Sequence, residues 1–298
     1  MRHIVIALII ALALPATAPA AELRVVSTLP DFAALAAELG GERVQAESLI
    51  RGTQDPHYVD AKPSFIVKVN RADLLIVIGL GLEAGWLPVL LTQARNGAVQ
   101  PGGRGYLDAS QVVTVREVPI NPDRSMGDVH GGGNPHYYTS PAELYQVARA
   151  IHQRLLQLDP EGAAVYRRRW QAFDEKYAAR TAAWKQALAP LAGERVVVYH
   201  LSWIYLLRWA GLERAGALEP KPGIPPSAGQ VTRLLARVRQ HGVRYVLQEI
   251  YHPSRLSRVF AAKAGAELKI LPSMVGAAPG IDTVWDKFDR IVELLSDD

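Results

Sequence analysis

The chain has no cysteine among its 298 residues. A disulfide framework, a thiolate metal site and a cysteine nucleophile are therefore excluded. The net charge is also small. The formal net charge is +4 and no long Lys/Arg run concentrates it, so a nucleic-acid-binding groove is not indicated. Hydrophobic residues make up 49% of the chain, which is enough to form a sizeable core and excludes a mainly disordered protein.

Beyond the first 20 residues, no apolar stretch approaches the roughly 18 residues that a membrane-spanning helix needs. The first 20 residues combine Arg2, the short apolar run Ile4–Leu14 and small residues ending at Ala20. This pattern is typical of a secretory signal peptide over residues 1–20, with cleavage after Ala20, and an uncleaved anchor is the alternative. No cysteine lies at the cleavage site, so we expect a periplasmic protein that is not a lipoprotein.

Short apolar runs alternate with longer amphipathic ones along the mature chain, which predicts an α/β fold with mostly parallel sheets. Residues 161–189 form the longest helical pattern, and at about 1.5 Å per residue this helix would reach roughly 40 Å. We interpret it as a spine helix joining two Rossmann-like lobes. The predicted units are an N-terminal α/β lobe over 22–158, the spine helix over 159–190 and a C-terminal α/β lobe over 191–298. Asp31 and Asp282 are predicted to cap the first and the last helix.

Histidines are the side chains that most need an explanation. Asp55-Pro56-His57 follows a predicted strand, and Asn134-Pro135-His136 lies in a glycine-rich loop. Proline stiffens each loop, and the preceding Asp or Asn can accept a hydrogen bond from an imidazole N–H, as a metal ligand requires. The pattern therefore predicts two metal ligands, and two ordinary turns with exposed histidines are the alternative. His130, in the same loop, is either an auxiliary ligand or an exposed loop histidine.

Two further candidates lie at the ends of predicted strands. His200 follows the strand that ends at Tyr199, and Glu249 follows the strand that ends at Leu247. Ligands bind at the carboxyl ends of the strands in open α/β sheets, although His200 could instead be a satisfied core residue and Glu249 an ion-paired one. Three imidazoles and one carboxylate suit a tetrahedral Zn²⁺, whereas Mn²⁺ prefers more oxygen ligands. The predicted zinc site lies in the interlobe cleft, and its predicted ligands are His57, His136, His200 and Glu249.

These segments together resemble the periplasmic solute-binding proteins of zinc and manganese ABC importers, the ZnuA-like family. The resemblance covers essentially all of the mature chain, including VVSTLPDFAALAAELGG, GNPHYYTSP and VVVYHLSWIYLLRWAGL. It implies that His57, His136 and His200 match the family's three recurring ligands, and a histidine at the third position favours zinc over manganese. The family's fourth ligand is often an Asp shortly after the last strand, where this chain has no carboxylate (Leu271–Met274). Glu249, Asp55 or a water molecule is left for that position.

The resemblance implies a binding protein and not an enzyme. We expect a monomer that captures Zn²⁺, or less readily Mn²⁺, and delivers it to a membrane permease of an ABC importer. Imidazole ligands predict that affinity falls as the pH drops through about 6–6.5. The rival hypothesis is an exported zinc-dependent hydrolase, in which the same ligands hold zinc and Glu249 acts as general base on a zinc-bound water. The third hypothesis is an adhesion protein in which zinc has a structural role.

Overall fold

A computed structural model describes residues 22–120, 130–219 and 223–297. The predicted signal peptide, residues 1–20, lies outside the described residues, as do residues 121–129 of the glycine-rich loop. Within the described part of the chain, no helix is both long and apolar enough to cross a membrane.

In the first half of the described chain, four parallel strands form a sheet in the order β2-β1-β3-β4. The strands are β1 (Leu23–Ser27), β2 (Val44–Ser48), β3 (Leu74–Val77) and β4 (Tyr106–Asp108). The sequence of β3 is LLIV and all of it is buried, as expected for an inner strand of a parallel sheet with both faces covered. The helices of this half are α1 (Pro30–Gly40), α2 (Pro63–Arg71) and α3 (Leu87–Ala94).

Proline lies in the first turn of each of these three helices. A proline there loses nothing, because the amide hydrogen that it lacks would have no partner inside the helix. The segment over residues 64–70 illustrates this effect of proline. Its Val and Ile content would also suit a strand, but α2 begins at Pro63 and buries Phe65 and Val69.

The second sheet repeats the arrangement of the first, with four parallel strands in the order β6-β5-β7-β8. The strands are β5 (Arg195–Val198), β6 (Glu213–Ala217), β7 (Tyr245–Glu249) and β8 (Glu267–Leu271). Two long helices precede this sheet, α4 (Pro141–Leu158) and α5 (Ala163–Leu188). The remaining helices are α6 (Ile204–Ala210), α7 (Ala228–His241), α8 (Arg255–Ala264) and α9 (Val284–Ser296). The two-lobed α/β fold is therefore confirmed.

The helix α5 is the predicted spine, and it packs against the last helix through aromatic rings. The ring centroids of Phe173 and Trp285 are 5.1 Å apart, and those of Trp184 and Phe288 are 5.4 Å apart. One continuous hydrophobic cluster includes β1 and β3 of the first sheet, α5, and β5 and β7 of the second sheet. This core crosses the junction of the lobes and gives no boundary between them. The lobe boundaries predicted at residues 158 and 191 therefore stay a prediction.

Both predicted aspartate caps are wrong. Asp31 is the second residue of α1 and is fully buried, and its carboxylate contacts Lys287 of α9 instead of the end of its own helix. The cap of α9 is Thr283, whose hydroxyl accepts a hydrogen bond from the Asp286 amide. Asp282 is the residue before this cap. A capping pattern identifies the segment in which a helix begins, and tertiary contacts decide the residue.

The two lobes touch backbone to backbone at Gly52. This glycine follows β2, and a Cβ atom placed on it would lie 2.0 Å from the Val275 carbonyl oxygen and 2.6 Å from the Ala277 nitrogen, both in the loop after β8. Any side chain here would force the lobes apart.

We expect Gly52→Ala to lower the free energy of unfolding by about 1–3 kcal/mol, because overpacking a rigid contact forces the backbone to shift. Urea denaturation followed by circular dichroism measures this. Gly85→Ala is the matched control, since its Cβ would have nothing within 4 Å. Equal stability of the two variants would contradict a tight interlobe contact.

Candidate metal centre

Three of the predicted residues meet where the two sheets end. His57 lies in the loop between β2 and α2, and His200 follows β5 after one intervening residue. His136 begins a short 3-10 turn, His136–Thr139, just before α4. Carboxyl ends of parallel strands from both lobes therefore supply His57 and His200, as the sheet rule predicts.

The three imidazoles surround a common point. One ring nitrogen of each of His57, His136 and His200 lies within 4.8 Å of the other two, and this is the metal-compatible group found among the described residues. The ring centroids are 5.1 Å apart for His57 and His136, 5.3 Å for His57 and His200, and 5.0 Å for His136 and His200. Imidazoles on a tetrahedral zinc, with Zn–N of about 2.0–2.1 Å, have centroids about 5 Å apart.

An oxygen atom faces the Nδ1 atom of each imidazole. Asp55 Oδ1 is 2.7 Å from Nδ1 of His57, and Asn134 Oδ1 is 3.0 Å from Nδ1 of His136. The same two oxygens accept hydrogen bonds from the backbone N–H of His57 and His136, at 3.0 and 2.9 Å. The two proline-histidine motifs therefore build the same local turn, as the sequence predicted.

His200 has a partner that the sequence analysis missed. Glu219 Oε1 lies 3.3 Å from Nδ1 of His200, and Glu219 is only 8% exposed. Glu219 follows β6, a strand that the sequence did not predict. Had β6 been predicted, the rule that ligands lie at strand ends would have identified Glu219. Its carboxylate also accepts a hydrogen bond from the Gly223 amide at 3.1 Å.

These contacts leave the Nε2 atom of every ring available. A carboxylate only accepts, and Asn134 Oδ1 is an acceptor, so the Nδ1 atoms of His57 and His136 are the donors. The Nδ1 atom of His200 lies at ion-pair distance from Glu219 Oε1 and has no hydrogen-bond partner among the described residues. The Nε2 atoms of His57, His136 and His200 are buried and have no hydrogen-bond partner among the residues that the structure describes. Buried polar atoms without partners are rare in folded proteins, and three that converge indicate a site for a ligand.

Burial disfavours the protonated form of two of the three imidazoles. Burial lowers the pKa of His136 well below that of a free imidazole, and the neighbouring His200 and His57 lower it further. Burial also lowers the pKa of His200, although Glu219 opposes the shift. Burial alone would raise the pKa of Asp55, but its contacts with His57 outweigh this and keep the carboxyl group below its usual range. Neutral imidazoles are the form that binds metal ions.

Glu249, predicted as the fourth ligand, is not part of the group of three. It is the last residue of β7 and fully buried, and its Oε2 is 3.7 Å from His252 Nε2. Burial raises the pKa of its carboxyl to about 8. At the position where the resemblance expects an Asp, Ser273 is fully buried.

The ring of His57 lies between two open cavities. One, of about 290 Å³, is lined by Asp55, Glu219 and His252 as well as by His57 and His200. The other, of about 600 Å³, is lined by His57 and His130 on the N-terminal side. The ring centroid of His130 is 5.3 Å from that of His57, so this loop histidine adjoins the cluster and is not an isolated surface residue.

The fold and the cluster define a two-lobed binding protein with an imidazole site between its lobes. A family model, zinc-uptake complex component A, periplasmic (ZnuA), matches residues 25–293. The chain belongs to this family of metal-binding ABC transporter substrate-binding proteins, which confirms the resemblance seen in the sequence. The family consists of binding components of transporters and not of enzymes.

Curated relatives differ in their metals. The high-affinity zinc uptake system protein ZnuA of Paracoccus denitrificans (strain Pd 1222) is 26% identical over 309 residues, covering 96% of this chain and 94% of that protein. The manganese ABC transporter substrate-binding lipoprotein PsaA of Streptococcus pneumoniae is 24% identical over 224 residues, covering 74% and 69%. A crystal structure of ZnuA has a TM-score of 0.76 at 23% identity, over 92% of this chain and 98% of that one, which supports the fold.

In the metal-free protein, we expect the His136 ring to stay neutral at pH 6, where a free histidine is mostly protonated. The His252 ring should titrate near pH 4, because burial lowers its pKa to about 4. Nitrogen-15 shifts of the imidazoles measure both midpoints. A His136 midpoint at or above 6.5 would contradict the burial argument.

Proposed function

We propose that this protein captures Zn²⁺ between its lobes and delivers it to the permease of an ABC importer. The observation that supports this most directly is the convergence of three buried Nε2 atoms, from His57, His136 and His200. Imidazole is an intermediate ligand that suits zinc, and a set of ligands with no carboxylate is poorly suited to manganese. The chemistry of the donors therefore favours zinc within a family whose members bind different metals.

Competition between protons and the metal ion for the imidazoles sets the pH range of capture. Protons compete with a metal ion for Nε2, so binding weakens once the free site begins to protonate. The pKa values of His136 and His200 are lowered, which moves this competition to lower pH than for ordinary imidazoles. Protonation of His136 and His200 should therefore compete with zinc only below the range of about 6–6.5 that free histidines would predict.

For the fourth position we propose a water molecule, with Glu249 as the competing ligand. The Asp55 carboxylate already accepts from His57, and Glu249 lies outside the group of three. A site open at one position releases its ion without breaking a closed shell. The continuous core and the spine restrict lobe opening, so we propose that release uses a local change in the loop over 124–136, of which residues 124–129 lie outside the described residues.

The rival hypotheses have less support. A hydrolase is not favoured, because the family and the related structures are binding components of transporters. We propose a periplasmic location on the basis of the family description and the predicted signal peptide, and a monomer as the working form.

We expect His57→Ala, His136→Ala and His200→Ala each to weaken zinc binding by more than the 10–100-fold that loss of an outer partner costs. Isothermal titration calorimetry with a competing chelator measures affinity and stoichiometry. His241→Ala, at the exposed end of α7, is the control and should bind as the wild type does. Unchanged zinc binding in all three variants would contradict the proposed three-histidine site.

Substitution of Glu249 separates the two candidates for the fourth position. If a water molecule fills it, Glu249→Gln keeps zinc affinity within about threefold of the wild type, whereas loss of a direct ligand weakens it by more than about tenfold. The same chelator competition measures the difference. Hydrolytic turnover by the zinc-loaded protein that disappears in Glu249→Gln would instead support the enzyme hypothesis.

A further inference from the structure

A buried ion pair joins the first and the last helix. Lys287 Nζ of α9 is 2.5 Å from Asp31 Oδ1 of α1, and both side chains are completely buried. The other oxygen of Asp31 accepts a hydrogen bond from the Val275 amide at 3.2 Å. An ammonium and a carboxylate this deep cost several kcal/mol each to desolvate, so the pair persists only because its contacts are well satisfied.

The Lys287 ammonium also contacts the turn that holds one proposed ligand. It donates to the Tyr138 carbonyl oxygen at 2.8 Å, and Tyr138 is two residues after His136 in the turn His136–Thr139. Among the hydrogen bonds to this turn between described residues, it is the one that comes from a charged side chain. The turn is thus tied to α9 and, through Asp31, to α1.

The C-terminal lobe holds the same turn from its other side. The Thr139 hydroxyl contacts the Ser202 carbonyl oxygen at 2.9 Å and the His136 carbonyl oxygen at 2.8 Å. The Asn134 side chain donates to the Leu201 carbonyl oxygen at 2.8 Å. The segment around His136 therefore belongs to the first half of the sequence but is fastened by groups of the second.

We propose that Lys287 is a positioning residue for the metal site: its hydrogen bond to the Tyr138 carbonyl fixes the turn that holds His136 Nε2 towards the other two imidazoles. This inference rests on the proposed function. Lys287 contacts neither the imidazoles nor the ion. It acts through one backbone carbonyl, and Asp31 supplies the negative charge that lets an ammonium remain at this depth.

A charge-neutral double variant separates positioning from stability. Removing one partner alone leaves an unpaired buried charge, whereas replacing both with neutral groups of similar volume is often tolerated. Asp31→Asn/Lys287→Met should therefore fold but lack the bond to Tyr138. We expect about tenfold weaker zinc binding at 20 °C, at the low end of the range for outer-shell partners. Chelator competition measures the affinity, and thermal unfolding checks the fold.

The chain offers a matched control in a second pair of oppositely charged residues. Arg43 and Asp159 are 2.6 Å apart and mostly buried, at 14% and 10% side-chain exposure. Asp159 follows the far end of α4, whose 18 residues separate it from the His136 turn by about 27 Å. Arg43→Met/Asp159→Asn should reduce stability and leave zinc affinity unchanged.

Combining the Lys287 double variant with single histidine variants tests whether its loss of zinc affinity acts through His136. In His57→Ala, the Lys287 double variant should still weaken the residual binding about tenfold, and in His136→Ala it should have no further effect, because groups that act through one residue are not additive. If none of the three single histidine variants weakens zinc binding, the proposed site is wrong, which is a different result from failure of this inference.

The inference is overturned if Asp31→Asn/Lys287→Met folds and binds zinc as tightly as the wild type. If that variant does not fold, Asp31→Asn/Lys287→Leu replaces it. Leucine also has no donor for the Tyr138 carbonyl, and it fills the buried space with a branched side chain. The same tenfold loss supports positioning, and wild-type affinity overturns it.

Discussion

An imidazole binds a metal ion only when it is neutral and its other nitrogen holds the proton, and this requirement organises the centre of the protein. Asp55, Asn134 and Glu219 each place an oxygen at the Nδ1 atom of one ring, so that the three Nε2 atoms converge. Burial then disfavours protonation of the His136 and His200 rings. The orientation of the rings and the lowered pKa values of His136 and His200 therefore come from the same packing, which is what the proposed metal site requires.

Preorganisation of this kind needs a rigid frame, because three proposed ligands from distant segments keep their geometry only if those segments do not move. The frame is a core that extends from the first sheet across α5 to the second. Gly52 packs against the backbone of the loop after β8. The ion pair of Asp31 and Lys287 joins the first helix to the last. Little ordering entropy then remains to oppose binding.

Much of the site was predictable because its signals are local. A proline before each histidine and an Asx residue before the proline predicted His57 and His136, and the strand-end rule predicted His200. Glu249 satisfied the same rule, but it ends β7 and lies outside the group of three. Strand position specifies the edge of the sheet and not the direction of a side chain. Glu219 was missed because β6, with the sequence ERAGA, has no apolar run to indicate a strand.

The sequence alone determined the two α/β lobes, the spine and the identity of the three histidines, because hydrophobic periodicity and short turn motifs act within a few residues. Only the tertiary structure decided which groups complete the site. Asp31 is 256 residues from its partner Lys287, and Glu219 is reached through a strand pairing. Such contacts leave no local pattern, since the free energy that places a charge in the interior comes from a partner that folding brings to it.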